Sequence, residues 1–199
     1  MDQRDLVLQL SCPVISMPMF SQLSPLQESG ERIILGSNGT FLEVRRAWAR
    51  FIVQVGPTLT ATVPFGRVTE AVELTASKIP RALLAEFAGW AQKDCHVEIG
   101  AVITWDELTG EYALRRSKSN HATSGSLNYE LAKLADTEHI IVDCHSHSHH
   151  GAFFSSTDDR DDQHAVKYAF VVGYCDRSNP SFASRLCVRG VFKKLNWTI

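Results

Sequence analysis

The sequence lacks a long apolar segment, an excess of charge of either sign and any cysteine pair of the CxxC type. No stretch approaches the roughly 18 consecutive apolar residues that cross a bilayer. The 20 basic and 22 acidic side chains leave a formal net charge of −2, which provides no basic field for nucleic acid or an anionic membrane surface. We therefore expect neither a nucleic acid nor a membrane as a partner.

The cysteines and the first residues indicate a cytoplasmic protein. The five cysteines are odd in number and widely spaced, which is typical of reduced thiols in the cytosol. Pro13 and Pro18 interrupt the short apolar run near the N-terminus, and no small-residue cleavage site follows them, so we expect no secretory signal.

The first 75 residues predict a β-rich extension. Residues 1–30 show no clear periodicity, and we expect them to be extended or poorly ordered. Short β-prone runs flank Gly36-Ser37-Asn38-Gly39, which is a hairpin signal. The run from Thr58 to Val63 predicts a further strand. With 199 residues, the chain has room for one domain beyond this extension.

Residues 76–199 predict a mixed α+β domain. Apolar residues recur at helical spacing after Pro80, a residue that suits a first helical turn. The largely apolar run from His139 to Cys144 is typical of a buried central strand. Further predictions are a strand over Val97–Trp105, a short helix over 128–135 and a helix over Asp158–Ala165.

The one unusual count is eight histidines, four of which fall within six residues: His145, His147, His149 and His150. Histidines at positions i and i+2 at the end of a strand lie on one side of the sheet and could chelate one metal ion. A carboxylate from Asp158, at the start of the following helix, would add a third ligand. Three nitrogen and oxygen ligands with a fourth position open to water are the arrangement of catalytic zinc sites.

A simpler interpretation is a surface histidine tract with incidental metal affinity. The buried-looking strand before the tract, the Ser-x-x-Asp at the following helix start and Glu98 on an upstream strand argue against it. Barrel hydrolases also use Asp-x-His-x-His, but only about fifty residues follow the motif, whereas a barrel needs roughly 200 or more.

The pattern His145-x-His147, seven residues, then Ser155-x-x-Asp158 resembles the signature of the JAB/MPN metalloproteases, also called JAMM. The resemblance covers roughly residues 80–195. It implies an α/β fold around a curved mixed β-sheet flanked by helices. It also implies Zn²⁺ held by His145, His147 and Asp158, with Glu98 as general acid and base and Ser155 as a donor to the tetrahedral intermediate.

Within that superfamily the whole chain resembles the PRTRC system protein A group, through residues 40–46, 153–159 and 185–190. This resemblance implies bacterial gene clusters that also encode ubiquitin-like and activating-enzyme-like proteins, and hence those proteins as substrate and partners. One position departs from the pattern. Many active JAMM peptidases carry proline after the second histidine, where this chain has Ser148, and this difference concerns loop geometry more than metal binding.

Two functions therefore remain open. The first is a zinc-dependent metallopeptidase or isopeptidase that hydrolyses an amide bond, which the second resemblance implies to be at the C-terminus of a ubiquitin-like protein. The second is a catalytically silent MPN-type scaffold that binds partner proteins. The intact ligand set and Glu98 favour the enzyme.

Nearby side chains have competing interpretations. Glu107 and Glu111 are alternatives to Glu98 as the acid and base, and Asp143 either orients a ligand imidazole or is a simple strand-end carboxylate. Two sets of residues are expected to bind no metal: His149 and His150 in a loop, and Asp159, Asp161 and Asp162 at a solvated helix start. Cys144 is expected in the core, where it is not a nucleophile.

Overall fold

A computed structural model describes residues 2–58, 61–123, 126–130 and 134–197. The chain folds as two compact units, Met1–Ala76 and Ser77–Ile199. Among the described residues, the helices are too short or too polar to cross a bilayer.

The N-terminal unit combines one helix with one mixed sheet. In this sheet β1 runs parallel to β2, and the other neighbours are antiparallel. The strands lie in the order β1-β2-β3-β4-β5. The elements are α1 (Gln3–Ser11), β1 (Val14–Ser16), β2 (Gly30–Gly36), β3 (Gly39–Arg46), β4 (Ala49–Gly56) and β5 (Ala71–Leu74).

The hairpin predicted at residues 36–39 is confirmed, since Gly36 pairs with Gly39 across the β2–β3 turn. Two other predictions are wrong. Residues 1–30 contain α1, which Asp2 caps by accepting from the Arg4 N–H, and the edge strand β1. No strand forms at Thr58 or at residues 61–63, while residues 59 and 60 lie outside the described residues.

The C-terminal unit contains a six-stranded sheet, and its mixed α+β class agrees with the prediction. Its strands lie in the order β13-β12-β11-β10-β6-β7, and β10 and β11 are its parallel pair. The elements are α2 (Arg81–Lys93), β6 (Gly100–Asp106), β7 (Tyr112–Arg116), the separate hairpin β8 (Lys118–Thr123) and β9 (Ser126–Glu130), β10 (Glu138–Ser146), α3 (Ser156–Asp162), β11 (Val166–Gly173), β12 (Ser181–Val188) and β13 (Val191–Leu195).

The apolar pattern after Pro80 does form a helix. Pro80 is the N-cap residue of α2, and the buried side chains Leu84, Phe87, Ala88 and Ala91 recur at helical spacing. The buried strand predicted over His139–Cys144 is the central part of β10. Strand β10 lies between β6 and β11. These two strands can therefore hold the residues at the end of β10 in place.

Two predicted boundaries and one predicted helix are wrong. Strand β6 begins at Gly100, so Val97 and Glu98 precede it. The helix predicted over 128–135 is contradicted by β9, which extends to Glu130, and residues 131–133 lie outside the described residues. Helix α3 ends at Asp162 and does not continue to Ala165.

The most deeply buried charge of the N-terminal unit is Glu43 on β3, whose exposure is 0%. Its Oε1 accepts from the Arg50 Nε at 2.6 Å and from the Leu26 N–H at 3.1 Å, and its Oε2 accepts from the Arg32 Nε at 2.5 Å. Burial raises the pKa of Glu43, but the hydrogen bonds from Arg50, Leu26 and Arg32 outweigh it and lower the pKa overall. The carboxylate therefore stays charged and holds β2, β3 and β4 together.

Replacing Glu43 by Gln should destabilise the N-terminal unit by about 2–4 kcal/mol, because Arg32 loses its counter-charge and Arg50 keeps only the exposed Glu73. Hydrogen exchange of the β2, β3 and β4 amides in increasing urea measures this free energy of unfolding separately from the rest of the chain. Glu73→Gln is the matched control: this more exposed carboxylate also pairs with Arg50, at 2.8 Å, and its loss should cost under about 1 kcal/mol. Equal effects of the two variants would contradict a central role for Glu43.

Candidate metal centre

The end of β10 positions the two histidines of the HxH motif. His145 pairs with Gly100 of β6 and with Val171 of β11. The His147 N–H donates to the Val172 carbonyl at 2.8 Å, one residue beyond the end of β10. Both imidazoles therefore lie on one side of the sheet, and their Nε2 atoms are 3.1 Å apart.

The start of α3 positions Asp158. Ser155 is the N-cap residue, and it forms a capping box with Asp158. The Ser155 N–H and the Ser155 hydroxyl donate to Asp158 Oδ2 at 2.6 and 2.7 Å. The other carboxylate oxygen, Oδ1, lies 3.6 Å from His145 Nε2. The cap thus engages one oxygen of Asp158 and leaves the other facing the histidines.

His145, His147 and Asp158 form the one group in the described part of the chain that could hold a metal ion, with ligand atoms within 4.8 Å of one another. Two imidazole nitrogens and one carboxylate oxygen suit zinc. Ligands about 2.0 Å from a tetrahedral zinc ion lie about 3.3 Å apart, close to the 3.1 and 3.6 Å separations of these atoms. The residues fit the ion.

The protonation of the histidines also suits a metal. Burial lowers the pKa of both His145 and His147, and the neighbouring His145 lowers the pKa of His147 further. Both rings are therefore neutral near pH 7. The Nδ1 of His147 lies 3.2 Å from the Gly151 carbonyl oxygen, which can only accept a hydrogen bond. Nδ1 thus carries the hydrogen, and the lone pair of Nε2 faces His145.

Glu98 lies two residues before β6 and is only 9% exposed. Burial raises the pKa of Glu98 to about 7, and the negative charge of Asp158 contributes to the same shift. The two carboxyl groups are therefore close enough to interact. A carboxyl group with a pKa near 7 can both accept and return a proton at neutral pH.

Buried ion pairs attach α3 to the sheet, and sequence reasoning missed them. Asp162 was expected to be solvated, but it is 5% exposed. Its Oδ1 pairs with Lys167 of β11 at 2.8 Å and its Oδ2 with Arg185 of β12 at 2.7 Å. Arg185 also pairs with Asp159, and Lys167 also pairs with Asp143.

The alternative acids lie elsewhere. Glu107 and Glu111 are exposed near the Asp106 end of β6, about 20 Å along the strand from the Gly100 end that pairs with His145. The remaining histidines of the tract are exposed, and His149 pairs with Asp176 at 3.3 Å.

The thiol of Cys144 lies in the core, as expected from its position in β10. The residue is fully buried, and burial raises the pKa of the thiol well above its usual range. A protonated, buried thiol is neither a nucleophile nor a metal ligand.

The loop after His147 follows a path that proline could not take. Ser148 has a φ of 48°, whereas the proline ring fixes φ near −65°. The loop then packs directly on Gly173, where a Cβ would lie 2.2 Å from the Ala152 nitrogen. Phe153 in this loop is 54% exposed, and its ring lies edge-on to His147 with the ring centres 4.6 Å apart.

The raised pKa of Glu98 makes the metal-free protein less stable as the pH rises. Below about pH 4.5 the carboxyl is protonated in both folded and unfolded chains, and between pH 4.5 and 7 only the unfolded chain loses the proton. Glu98→Gln should therefore stabilise the metal-free protein by about 1–3 kcal/mol at pH 8 and much less at pH 5. Urea unfolding in the presence of a chelator measures the difference.

Glu111→Gln serves as the control, because Glu111 is exposed in the same unit. This variant should show the same small change at both pH values. A Glu98→Gln effect of equal size at pH 5 and pH 8 would contradict the burial of a charged Glu98.

Two family models match the chain. One, a domain of unknown function (DUF2016), matches residues 2–75. The other, described as prokaryotic homologs of the JAB domain, matches residues 80–187. No curated protein matches the chain. The second match spans more than half of the 199 residues and includes Glu98, the two histidines and Asp158. The chain therefore belongs to the family of prokaryotic homologs of the JAB domain.

Proposed function

We propose that this protein is a zinc-dependent metallopeptidase that hydrolyses an amide or isopeptide bond. The observation that carries the proposal is the convergence of His145, His147 and Asp158 beside the buried carboxyl group of Glu98. A histidine tract with incidental metal affinity does not need a carboxylate ligand fixed by a capping box or a buried acid next to it. A zinc hydrolase uses a third ligand held in place and an acid beside the open position.

In this mechanism a zinc ion at the three ligands would supply a Lewis acid that acidifies water and polarises an amide carbonyl. Glu98 takes the proton from the attacking water and returns it to the leaving amine, since a carboxyl buried beside the three ligands is placed for both steps. The neutral rings of His145 and His147 keep their lone pairs available throughout. Burial of Glu98 keeps bulk water away from the group that moves the proton.

Ser155 has two roles to fill. Its hydroxyl donates to Asp158 Oδ2 at 2.7 Å, so it orients a metal ligand. The resemblance to the JAMM peptidases implies that the same hydroxyl donates to the oxyanion that develops on the substrate carbonyl. One hydroxyl hydrogen cannot serve both acceptors at once, so the oxyanion role requires it to turn away from Asp158 during the reaction.

We further propose a ubiquitin-like protein or peptide as the substrate and a place in the cytoplasm. The support is the resemblance of residues 40–46, 153–159 and 185–190 to the PRTRC system protein A group, whose gene clusters encode ubiquitin-like and activating-enzyme-like proteins. The half-exposed ring of Phe153 beside His147 offers an apolar surface next to the bond that would be cleaved.

The direct test is hydrolysis of a ubiquitin-like protein fused through its C-terminus to a fluorescent amine. The protein purified with zinc should hold about one ion per chain and cleave the fusion. Glu98→Gln should lower kcat by about 10²–10⁴-fold, because proton transfer loses its acid and base, while the zinc content stays the same.

The exposed Glu111 again provides the control, since Glu111→Gln should leave kcat unchanged. A wild-type protein that holds zinc but cleaves none of a panel of ubiquitin-like fusions would contradict the substrate. A protein that holds no zinc would contradict the enzyme and favour a scaffold that binds partner proteins.

Ser155→Ala separates the two roles of the serine. If the hydroxyl donates to the oxyanion, kcat should fall by about 10²–10³-fold with the zinc affinity nearly unchanged. Competition with a chromophoric chelator measures that affinity. A parallel fall in zinc affinity and kcat would instead show that Ser155 acts by orienting Asp158. Loss of the cap should also cost about 1 kcal/mol of stability.

A further inference from the structure

The segment that carries Glu98, residues 95–99, has neither helix nor strand of its own. It connects the end of α2 at Lys93 to the start of β6 at Gly100. A residue in such a connection owes its position to the contacts at either end of the segment. The chemistry proposed for Glu98 requires its carboxyl group to stay next to the metal ligands, so these contacts matter for function.

Two buried serines bond to the two ends of this segment. Ser146 Oγ accepts from the Ile99 N–H at 3.0 Å, and the Ser146 N–H donates to the Ile99 carbonyl at 3.0 Å. Ser148 Oγ donates to the Cys95 carbonyl. Both serines are 0% exposed, and they flank the ligand His147 on either side in the sequence.

The backbone conformation at position 148 would suit glycine better than serine, so the contribution of Ser148 is its hydroxyl group. A φ of 48° is unfavourable for a residue with a Cβ and costs glycine nothing. The conformation is held from outside, since the Cys175 N–H donates to the Ser148 carbonyl at 2.8 Å. Glycine would satisfy that geometry without strain, but it could not bond to Cys95.

We propose that Ser146 and Ser148 are positioning residues that clamp residues 95–99 at both ends and so hold Glu98 beside His145, His147 and Asp158. The role of Glu98 in this statement rests on the proposed function. The clamp itself rests on the hydrogen bonds and does not depend on any activity.

The serines act on the Glu98 segment more than on the histidine between them. His147 has its own bonds, from its N–H to the Val172 carbonyl and from its Nδ1 to the Gly151 carbonyl. Ile99 is 5% exposed, and its N–H depends on the Ser146 side chain. Removing that hydroxyl leaves a buried N–H without its acceptor, so the segment should loosen before His147 moves.

Amide hydrogen exchange of the full-length, metal-free protein tests the clamp directly. Ser146→Ala should speed exchange of the Ile99 amide by about ten-fold or more, and Ser148→Gly should speed exchange across residues 95–98. Ser148→Gly is preferred to Ser148→Ala because it removes the hydroxyl and also relieves the unfavourable φ of 48°, so that faster exchange cannot come from strain at this position. Ser146→Thr keeps a hydroxyl and should restore the slow exchange.

Ser184→Ala is the matched control. Ser184 is 2% exposed in the same unit, and its hydroxyl donates to the Leu195 carbonyl at 3.1 Å. The hydroxyl also accepts from the Trp197 N–H at 3.2 Å, so this variant loses two hydrogen bonds away from the candidate metal centre. It should leave exchange at residues 95–99 unchanged.

In the zinc-loaded protein, Ser146→Ala and Ser148→Gly should each lower kcat by about 10–100-fold, with KM and zinc affinity within about two-fold of the wild type. Unchanged exchange at residues 95–99 would overturn the proposal. So would a fall in zinc affinity that matches the fall in kcat, because the serines would then act through His147. If the zinc-loaded wild type cleaves none of the fusions, the proposed substrate fails, and the exchange result alone still decides the clamp.

Discussion

The geometry of the candidate metal centre depends on one buried carboxylate, that of Asp162. Helix α3 has the sequence STDDRDD, and Asp162 is its single buried residue. The helix therefore has no apolar face to dock on the sheet. Its attachment comes from the pairs that Asp162 forms with Lys167 and Arg185. A buried charge is costly unless it is paired and hydrogen-bonded, and here each carboxylate oxygen of Asp162 has its own cation. Asp158 lies one turn earlier on the same helix, so electrostatic pairing, and not apolar packing, sets the position of this candidate ligand.

The same arrangement concentrates negative charge around the histidines. Asp143 and Asp162 are balanced by Lys167, but the oxygen of Asp158 that faces His145 has no such cation in the hydrogen bonds and ion pairs described above. The charge of Asp158 raises the pKa of the nearby Glu98. A divalent cation at His145, His147 and Asp158 would relieve this repulsion while it satisfies the ligands. Without a metal, the repulsion between Asp158 and Glu98 lowers the stability of the folded protein. Such a local loss of stability is common at functional sites.

The sequence predicted correctly those elements that have a clear local pattern of apolar or turn residues. The helix after Pro80, the hairpin at residues 36–39 and the buried strand before His145 all have such patterns, and the i, i+2 spacing placed both imidazoles on one side. The apolar residues of helix α1 include three in a row, Leu6, Val7 and Leu8, which follow no helical period, and the helix has no buried residue. The burial of Asp162 was hidden for a different reason: in the sequence it belongs to a run of polar residues, and its partners on β11 and β12 approach it only in the folded chain.

Ser148 shows how a departure from a family pattern is best interpreted. Taken from the sequence, a serine in place of proline raises a doubt about the loop after the second histidine. In the structure the backbone there has a φ of 48°, which the proline ring forbids, so the two residues belong to different loop paths. Proline restricts a loop through its own ring, whereas Ser148 is restrained by the hydrogen bonds that it forms with Cys95 and Cys175. The restraint that proline supplies through its ring is here supplied by hydrogen bonds to Ser148. The Nε2 atoms of His145 and His147 still lie 3.1 Å apart.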